Sequence, residues 1–381
     1  MRRRSHHHWR YATAATAATV AIALTAGCGS DSDSGNSSGG DDGPSAADAA
    51  QQRLADNPAL ADLVAAAEEE GALSLNWGLH GQGGLDSLVD AFQEAYGLDL
   101  DVTLTPDQNM PGNTAKLIQE HNAGSPSSTD ALLGNPELIR NAAQAGALAE
   151  TDWAAVAPWT EGLASGDNMA LSLLDQIPGF TYNTTLISED EVPRTAADVL
   201  EMDQAIASTP YAAQFNVLGA DEAMGVDGVR DYLRAFEPEG YFGCGELNRV
   251  ASGEFAALWI SCGKNLADVV AEEGAPLETA VLADAASVSS WYMGIPENAQ
   301  HPAAATLFAT WLVTPEAQEL LYEQEFADNR LVEGSRTAQE IAEYEADGVN
   351  FTEVDYQFTA DHPELYNTEF KDELIGLLTT K

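Results

Sequence analysis

The chain has 381 residues, with 61 acidic side chains against 16 basic ones and a formal net charge of -45. Phosphate backbones and anionic membrane surfaces are read through Lys and Arg, so this balance excludes a nucleic-acid binder and a folded domain that docks on anionic lipid. Hydrophobic residues make up 45% of the chain, which excludes wholesale disorder, and the length suits two domains or lobes.

Residues 1–28 read as a lipoprotein signal segment. Arg2, Arg3, Arg4 and Arg10 make a basic start without an acid. The apolar run Ala12–Ala26 is shorter than the roughly 20 residues an ordinary membrane span needs. It ends Leu24-Thr25-Ala26-Gly27-Cys28, small residues before a cysteine as in a bacterial lipobox. Cys28 is therefore expected to carry a lipid and to anchor the chain on the extracytoplasmic side of the cell membrane. Residues 29–49, almost all Gly, Ser, Asp, Asn and Ala, read as a disordered acidic tether. Acids continue along the whole chain. That spread fits a surface kept hydrated in high salt better than a site that attracts cations.

Beyond the tether, Ala72–Trp77 alternates like a strand. A glycine-rich loop follows with Gly78, Gly81, Gly83 and Gly84, and then Leu85, Leu88, Val89, Phe92 and Tyr96 fall at helical spacing. Asp99–Leu104 is a second strand, Thr114–Asn122 a short helix and Thr129–Leu133 a third strand. Asn135-Pro136 supplies an N-cap and a proline at the first helical position, and Gly146 ends that helix. This β-α-β order calls for parallel strands with crossover helices, whose carboxyl ends gather ligands. Those ends are Trp77–Gly84, Thr105–Asn113 and Gly134–Asn135. Gly179–Thr184 reads as a strand leaving this unit, and the region from Thr195 to about Ala285 holds its own elements, among them a helix Asp227–Phe236 and a strand Glu254–Ile260. Ser287–Ile295 is strand-like again, helices follow at Pro302–Leu312 and Pro315–Glu325, and a last helix covers Glu369–Leu378. In an oxidising compartment the two remaining cysteines, Cys244 and Cys262, most simply pair with each other.

Several of these segments together resemble the substrate-binding lipoproteins of bacterial ABC importers, in the group that includes ferric-iron and thiamine binders. The resemblance runs from about Leu60 to Gln324. It is carried by Leu88-Val89-Asp90-Ala91-Phe92-Gln93 before Tyr96-Gly97, by Ala115–Glu120, Asp130–Gly134 and Gly179–Thr184, and later by Ser252-Gly253-Glu254, His301–Leu312 and Pro315–Gln318. It implies an α/β, two-lobed periplasmic-binding-protein-like fold, each lobe a mostly parallel sheet flanked by helices. Lobe one would span 60–179 and 286–328, and lobe two 183–285 and 329–381, joined by two crossover strands. A small ligand would bind between the lobes, and a monomer closed on it would be read by the ABC transporter permease.

In the ferric binders the resemblance points to, iron is held by a His, an acid and two adjacent Tyr. His80 matches the first position, but Asn135 stands at the acid and Gly263-Lys264 at the tyrosines, so a ferric site is not expected. Lys264, one of four lysines, follows a strand that should end at the cleft and suits a carboxylate, phosphate or phosphonate. The glycine loop around Gly81 offers backbone N–H groups to the same anion. Trp77, Tyr182, Tyr211 and Trp291 lie on cleft segments where two or three aromatics could sandwich an organic ligand, whereas Trp259, inside a strand, reads as core. Ser289 and Ser290 lie in the return crossover and offer hydroxyls. A disulfide between Cys244 and Cys262 would stiffen the wall beside Lys264.

The expected function is thus a non-enzymatic solute receptor for an importer, without cofactor or metal, whose ligand is a small organic anion or zwitterion. The alternatives are an organic cation such as thiamine or a polyamine, ferric iron, or a sensor that reports occupancy to a kinase. An enzyme on the same scaffold lacks sequence support: there is no Gly-x-Ser-x-Gly elbow, no His-Glu-x-x-His, and the histidines beyond the leader are scattered singly.

Overall fold

The computed structural model describes residues 46–78, 82–106 and 109–380. The signal segment, Cys28, the spacer up to residue 45, and His80 and Gly81 lie outside the described residues. The structure opens with two helices, α1 (Ala46–Asp56) and α2 (Pro58–Glu70). The first begins inside the segment expected to be tether. Its Ala50 is fully buried in the core of the first lobe, and Arg53 grips the Glu316 carboxylate with Nη1 and Nη2. An alanine-rich stretch costs little side-chain entropy in a helix, and a distant acid fixes it in place. Asn57 caps α2, with Pro58 at its first position and Gly71 at its left-handed C-cap.

The β-α-β order follows as expected, with shifted ends: β1 (Ala72–Trp77), α3 (Gln82–Tyr96), β2 (Asp101–Pro106), α4 (Met110–Asn122), β3 (Leu132–Gly134) and α5 (Pro136–Gln144). After the single turn α6 (Trp153–Val156) come β4 (Ala164–Ser165) and β5 (Ala170–Gln176). The chain then crosses to the second lobe. There it builds β6 (Phe180–Asn183), α7 (Ala196–Val199), β7 (Ile206–Ser208), α8 (Gly225–Ala235), β8 (Gly240–Tyr241), α9 (Asn248–Ala251), β9 (Ala257–Leu258), α10 (Lys264–Glu272) and β10 (Leu277–Ala280). It returns through β11 (Ser287–Gly294) to α11 (Pro302–Leu312), α12 (Pro315–Glu325) and α13 (Arg336–Ala346). Last come β12 (Thr352–Val354), α14 (Tyr356–Asp361), α15 (Pro363–Tyr366) and α16 (Thr368–Thr379). The expected strand Glu254–Ile260 shrinks to β9, because the N–H groups of Glu254 and Phe255 both turn back to the Arg249 carbonyl.

In lobe one β1 is parallel to β2, and Leu75 bridges in parallel to Ala131 just before β3. The antiparallel strand β11 lies between β3 and β5, and β5 pairs directly with β4. In lobe two the order is β10-β6-β9-β7-β8, with β7, β8 and β9 mutually parallel. One core gathers Leu73, Leu75, Phe92, Phe308 and Trp311, with Phe92 5.2 Å from the ring of Phe308. A second gathers Phe180, Phe215, Trp259 and Phe236, so Trp259 is a core residue as expected; its Nε1 donates to the Tyr232 hydroxyl at 2.7 Å. Each fully buried aromatic of this kind contributes roughly 1.5–3 kcal/mol.

Asp130 binds the first lobe together. It is 1% exposed, and its two oxygens accept from the N–H groups of Ser74, Gln300 and His301 and meet His301 Nδ1. One carboxylate thus joins β1, the segment leading into β3 and the start of α11.

The C-terminal segment adds a crossing to the two that the resemblance implied. Helix α13 stays beside α12, where the Arg336 guanidinium lies over the Tyr322 ring. The chain then runs along the return crossover, with β12 parallel to β11 and Ser287, Val288 and Ser289 opposite Thr352, Glu353 and Val354. Beyond it, Phe358, Leu365, Phe370, Leu374 and Leu378 are buried in the second core. Among the described residues no helix is long and apolar enough to cross a membrane.

Candidate functional site

The strand directions locate the cleft. β5 leaves lobe one at Gln176 and β6 enters lobe two at Phe180. β11 is antiparallel to β5, and β3 is antiparallel to β11, so β3 and its parallel neighbour β1 both point their carboxyl ends at the crossover. In lobe two β9 is antiparallel to β6, which turns the carboxyl ends of β9, β7 and β8 back toward the same crossover. The two sets of ends that a doubly wound sheet uses for ligands therefore face one another across the hinge.

On the first wall stand Trp77, Pro106 and Asn135. Trp77 is 4% exposed, and its Nε1 donates to Glu325 Oε1 at 3.2 Å. This aromatic is packed in the core rather than presented to a ligand. The Asn135 side chain is occupied as the N-cap of α5, accepting from Leu138 N at 3.0 Å. On the second wall, Ser208 ends β7 and Thr209 follows it. Both are buried, and neither Ser208 Oγ nor Thr209 Oγ1 has a partner among the described residues. A buried hydroxyl without a partner is costly, and a group that enters the cleft could satisfy these two. Sequence reasoning singled out Tyr211, two residues further on, and missed this pair; Thr209-Pro210 at a strand end was the available signal.

Cys244 and Cys262 are bonded, tying the loop after β8 to the loop after β9. The Tyr211 hydroxyl lies against both sulfurs, 3.0 and 3.4 Å away, and accepts from Cys244 N. Burial pushes this phenol above its ordinary pKa, so Tyr211 stays a neutral wall residue at physiological pH. Tyr182 is buried on β6 and donates to the Glu278 carboxylate at 2.7 Å. Its register opposite Glu278 puts it near the far end of β6, away from Phe180, where the strand enters from the crossover. Its role as a ligand stack is therefore not supported by its position.

Lys264 differs most from expectation. Its Nζ lies 2.6 Å from Asp268 and 3.3 Å from Glu340, one turn along α10 and on α13 respectively. Burial alone would lower its pKa, but the two carboxylates outweigh that and raise it. Burial also leaves Glu340 above the usual carboxylate range in spite of the lysine. The ammonium is committed to protein carboxylates and is not a free anion holder. Beside it a small cavity, with room for about one water molecule, is lined by Gln176, Asn265, Phe326 and Thr337.

The crossover residues divide in the same way. Ser290 Oγ donates to Asp175 Oδ1 at 2.7 Å, and Arg330 N donates to Asp175 Oδ2 at 2.9 Å, so Ser290 serves the hinge rather than a ligand. Asp175 is buried, and burial raises its pKa against the pull of Ser290 and Arg330. Ser289 is buried opposite Gln176, and Trp291, half-buried, packs on the first core. Among the described residues no group of three His, Cys, Asp or Glu comes together to hold a metal ion. At the iron-ligand positions of the resemblance the structure has a capping Asn135 and the committed Lys264.

The likeness to known proteins agrees with this architecture. The family model of bacterial extracellular solute-binding proteins matches residues 87–348, and the chain belongs to that family. A substrate-binding protein of an ABC transporter from Agrobacterium tumefaciens superposes with a TM-score of 0.66 at 16% identity, over 82% of this chain and 97% of that one. Iron-bound HitA from Pseudomonas aeruginosa gives 0.57 at 17% identity, over 69% and 87%. AfuA from Actinobacillus pleuropneumoniae, with fructose-6-phosphate bound, gives 0.59 at 16%, over 80% and 97%. At these identities the likeness defines the fold: two lobes of the periplasmic-binding-protein type, as expected from the sequence. No curated protein matches the chain in sequence.

Proposed function

We propose that this chain is a non-catalytic receptor that captures a small polar organic solute between its lobes and delivers it to an ABC importer permease. It would act as a monomer held to the extracytoplasmic face of the membrane by a lipid on Cys28. The observation that carries this reading is the meeting of two sets of strand ends at one hinge, with Ser208 and Thr209 buried on the second wall and their hydroxyls without partners among the described residues. Unsatisfied hydroxyls favour a ligand rich in hydrogen-bonding groups. An anionic ligand would rest on Lys264, but that ammonium is bound to Asp268 and Glu340. We therefore favour a zwitterion or an uncharged polyhydroxyl solute over a net anion. The ferric alternative is disfavoured because hard Fe³⁺ prefers anionic oxygen ligands and the matching positions hold Asn135 and Lys264.

The test is thermal unfolding of the protein cut after Cys28, against polyols, sugars, amino acids, betaines, organic acids, phosphonates, thiamine, polyamines and ferric citrate. A ligand at about 100 times its dissociation constant adds roughly 2.7 kcal/mol, a shift of about a few degrees. The expected result is a shift with one neutral or zwitterionic class that is lost in Ser208→Ala/Thr209→Val. A shift with an anion that disappears in Lys264→Ala overturns the ligand class. Conversion of the solute to a product overturns the receptor reading.

A further inference from the structure

The third crossing connects the lobes through more than a strand. α16 is anchored in lobe two: Phe370, Leu374 and Leu378 are buried there, and Arg230 pairs with Glu373 through two nitrogens at 2.9 and 2.8 Å. The Tyr241 hydroxyl donates to the Leu378 carbonyl at 2.6 Å. From the same helix Lys371 reaches across to Glu137, in the first turn of α5 in lobe one. Ahead of it, α14 packs on α5, where the Arg140 guanidinium donates to the Thr359 carbonyl, and on β11, where the Tyr292 hydroxyl accepts from Tyr356 N at 3.1 Å. The Tyr356 ring fills the place where a side chain on Gly166, at φ +63 in the turn between β4 and β5, would lie, 2.8 Å from its Cζ. α5 carries the cleft end of β3 and contacts the lobe-two part of the chain through this segment. Two of only four lysines, Lys264 and Lys371, hold contacts of this kind between the C-terminal region and the rest of the molecule.

We infer that α14–α16 form a latch, and that the Lys371–Glu137 ion pair sets the balance between closed and open lobes in the empty receptor. The pair is partly exposed, 28% for Lys371 and 23% for Glu137, so it is strong enough to bias an equilibrium and weak enough to break on each cycle. Both lobes belong to a chain of net charge -45, so removal of one bridging cation also unmasks repulsion between them.

The test needs no ligand, so its outcome is independent of the solute assay. Spin labels on Lys116→Cys in α4 and Glu237→Cys after α8, both at exposed positions, report the distance between the lobes by double electron–electron resonance. In Lys371→Ala and in Glu137→Gln the open-to-closed ratio is expected to rise about two- to fivefold. Lys371→Arg, which keeps the charge, is expected to hold the wild-type distribution. Circular dichroism identifies any variant that has lost its fold, and Glu137→Gln, nearly isosteric, keeps the packing of α5. An unchanged distance distribution in both charge-removing variants overturns the proposal and reduces α16 to an ordinary packing helix. A Lys371→Arg distribution as open as that of Lys371→Ala overturns it too.

Discussion

Replacing Asp130 by alanine tests whether one buried carboxylate holds the first lobe's strands in register with α11. The side chain accepts from Ser74 N at 2.8 Å, from Gln300 N and His301 N at 2.9 Å each, and meets His301 Nδ1 at 2.8 Å. Hydrogen bonds to a charged group contribute about 1.5–3 kcal/mol each. The His301 side chain is 24% exposed, so water can rescue part of what it and its neighbour lose. Counting the Ser74 bond in full and the others in part gives a cost of about 4 kcal/mol. At about 2–4 °C per kcal/mol, the melting temperature falls by about 8–16 °C. Asp130→Asn keeps one acceptor oxygen and should lose about half as much. The assay is thermal and urea unfolding followed by tryptophan fluorescence, which reports lobe one through Trp153 and Trp311. A loss below about 1 kcal/mol for Asp130→Ala would refute the reasoning, because three backbone donors would then have found partners the structure does not provide.

Opening the disulfide in Cys244→Ser/Cys262→Ser frees a loop with a sequence separation of 18, and should cost about 3 kcal/mol in denaturant unfolding by the loop-entropy relation; no change would mean the loop stays ordered without it. Trp77→Phe removes the donor that Glu325 receives from the ring, and a loss of about 1–3 kcal/mol is expected by the same assay. Asp175 titrates above an ordinary carboxylate in the folded state because it is buried, so the folded protein binds this proton more readily than the unfolded chain. Its contribution to stability is complete below the unfolded value, about 3.9, and is lost as pH rises through the raised one. Asp175→Asn should remove that component from the pH–stability curve, and an unchanged slope in this window would show that the burial is relieved by Arg330.

Much of lobe one was legible because its signals are local. Asn135-Pro136 marks the start of α5, Thr314-Pro315 that of α12, and the spacing of Leu88, Val89 and Phe92 identifies α3. α1 was hidden because Ala46–Asp56 follows a spacer of similar composition, and Ala50 is buried only by elements far along the chain. Lys264 shows the same limit at the site. Asp268, four residues on, is a partner that helical spacing makes visible, but Glu340 comes from α13 and no local pattern joins the two. The hydroxyls of Ser208 and Thr209 are ordinary in a sequence; they gain meaning from the sheet order that turns the end of β7 toward the hinge. The third crossing was illegible because a three-residue strand carries too little pattern to show which sheet it joins.

That third crossing also governs the order in which the molecule can form. The first core needs Phe308, Trp311 and Leu321, and the second needs Val354, Phe370, Leu374 and Leu378. The first core can fill once the chain as far as Ala327 is available, whereas the second lacks Phe370, Leu374 and Leu378 until α16 is in place. Intermediates without α16 should therefore expose apolar surface of lobe two, the condition in which chains of this size depend on chaperones or aggregate. A stop a few residues short of the end would leave Leu378 and the Tyr241 contact unmade, and the penalty would fall on lobe two, whose central strands were made more than a hundred residues earlier.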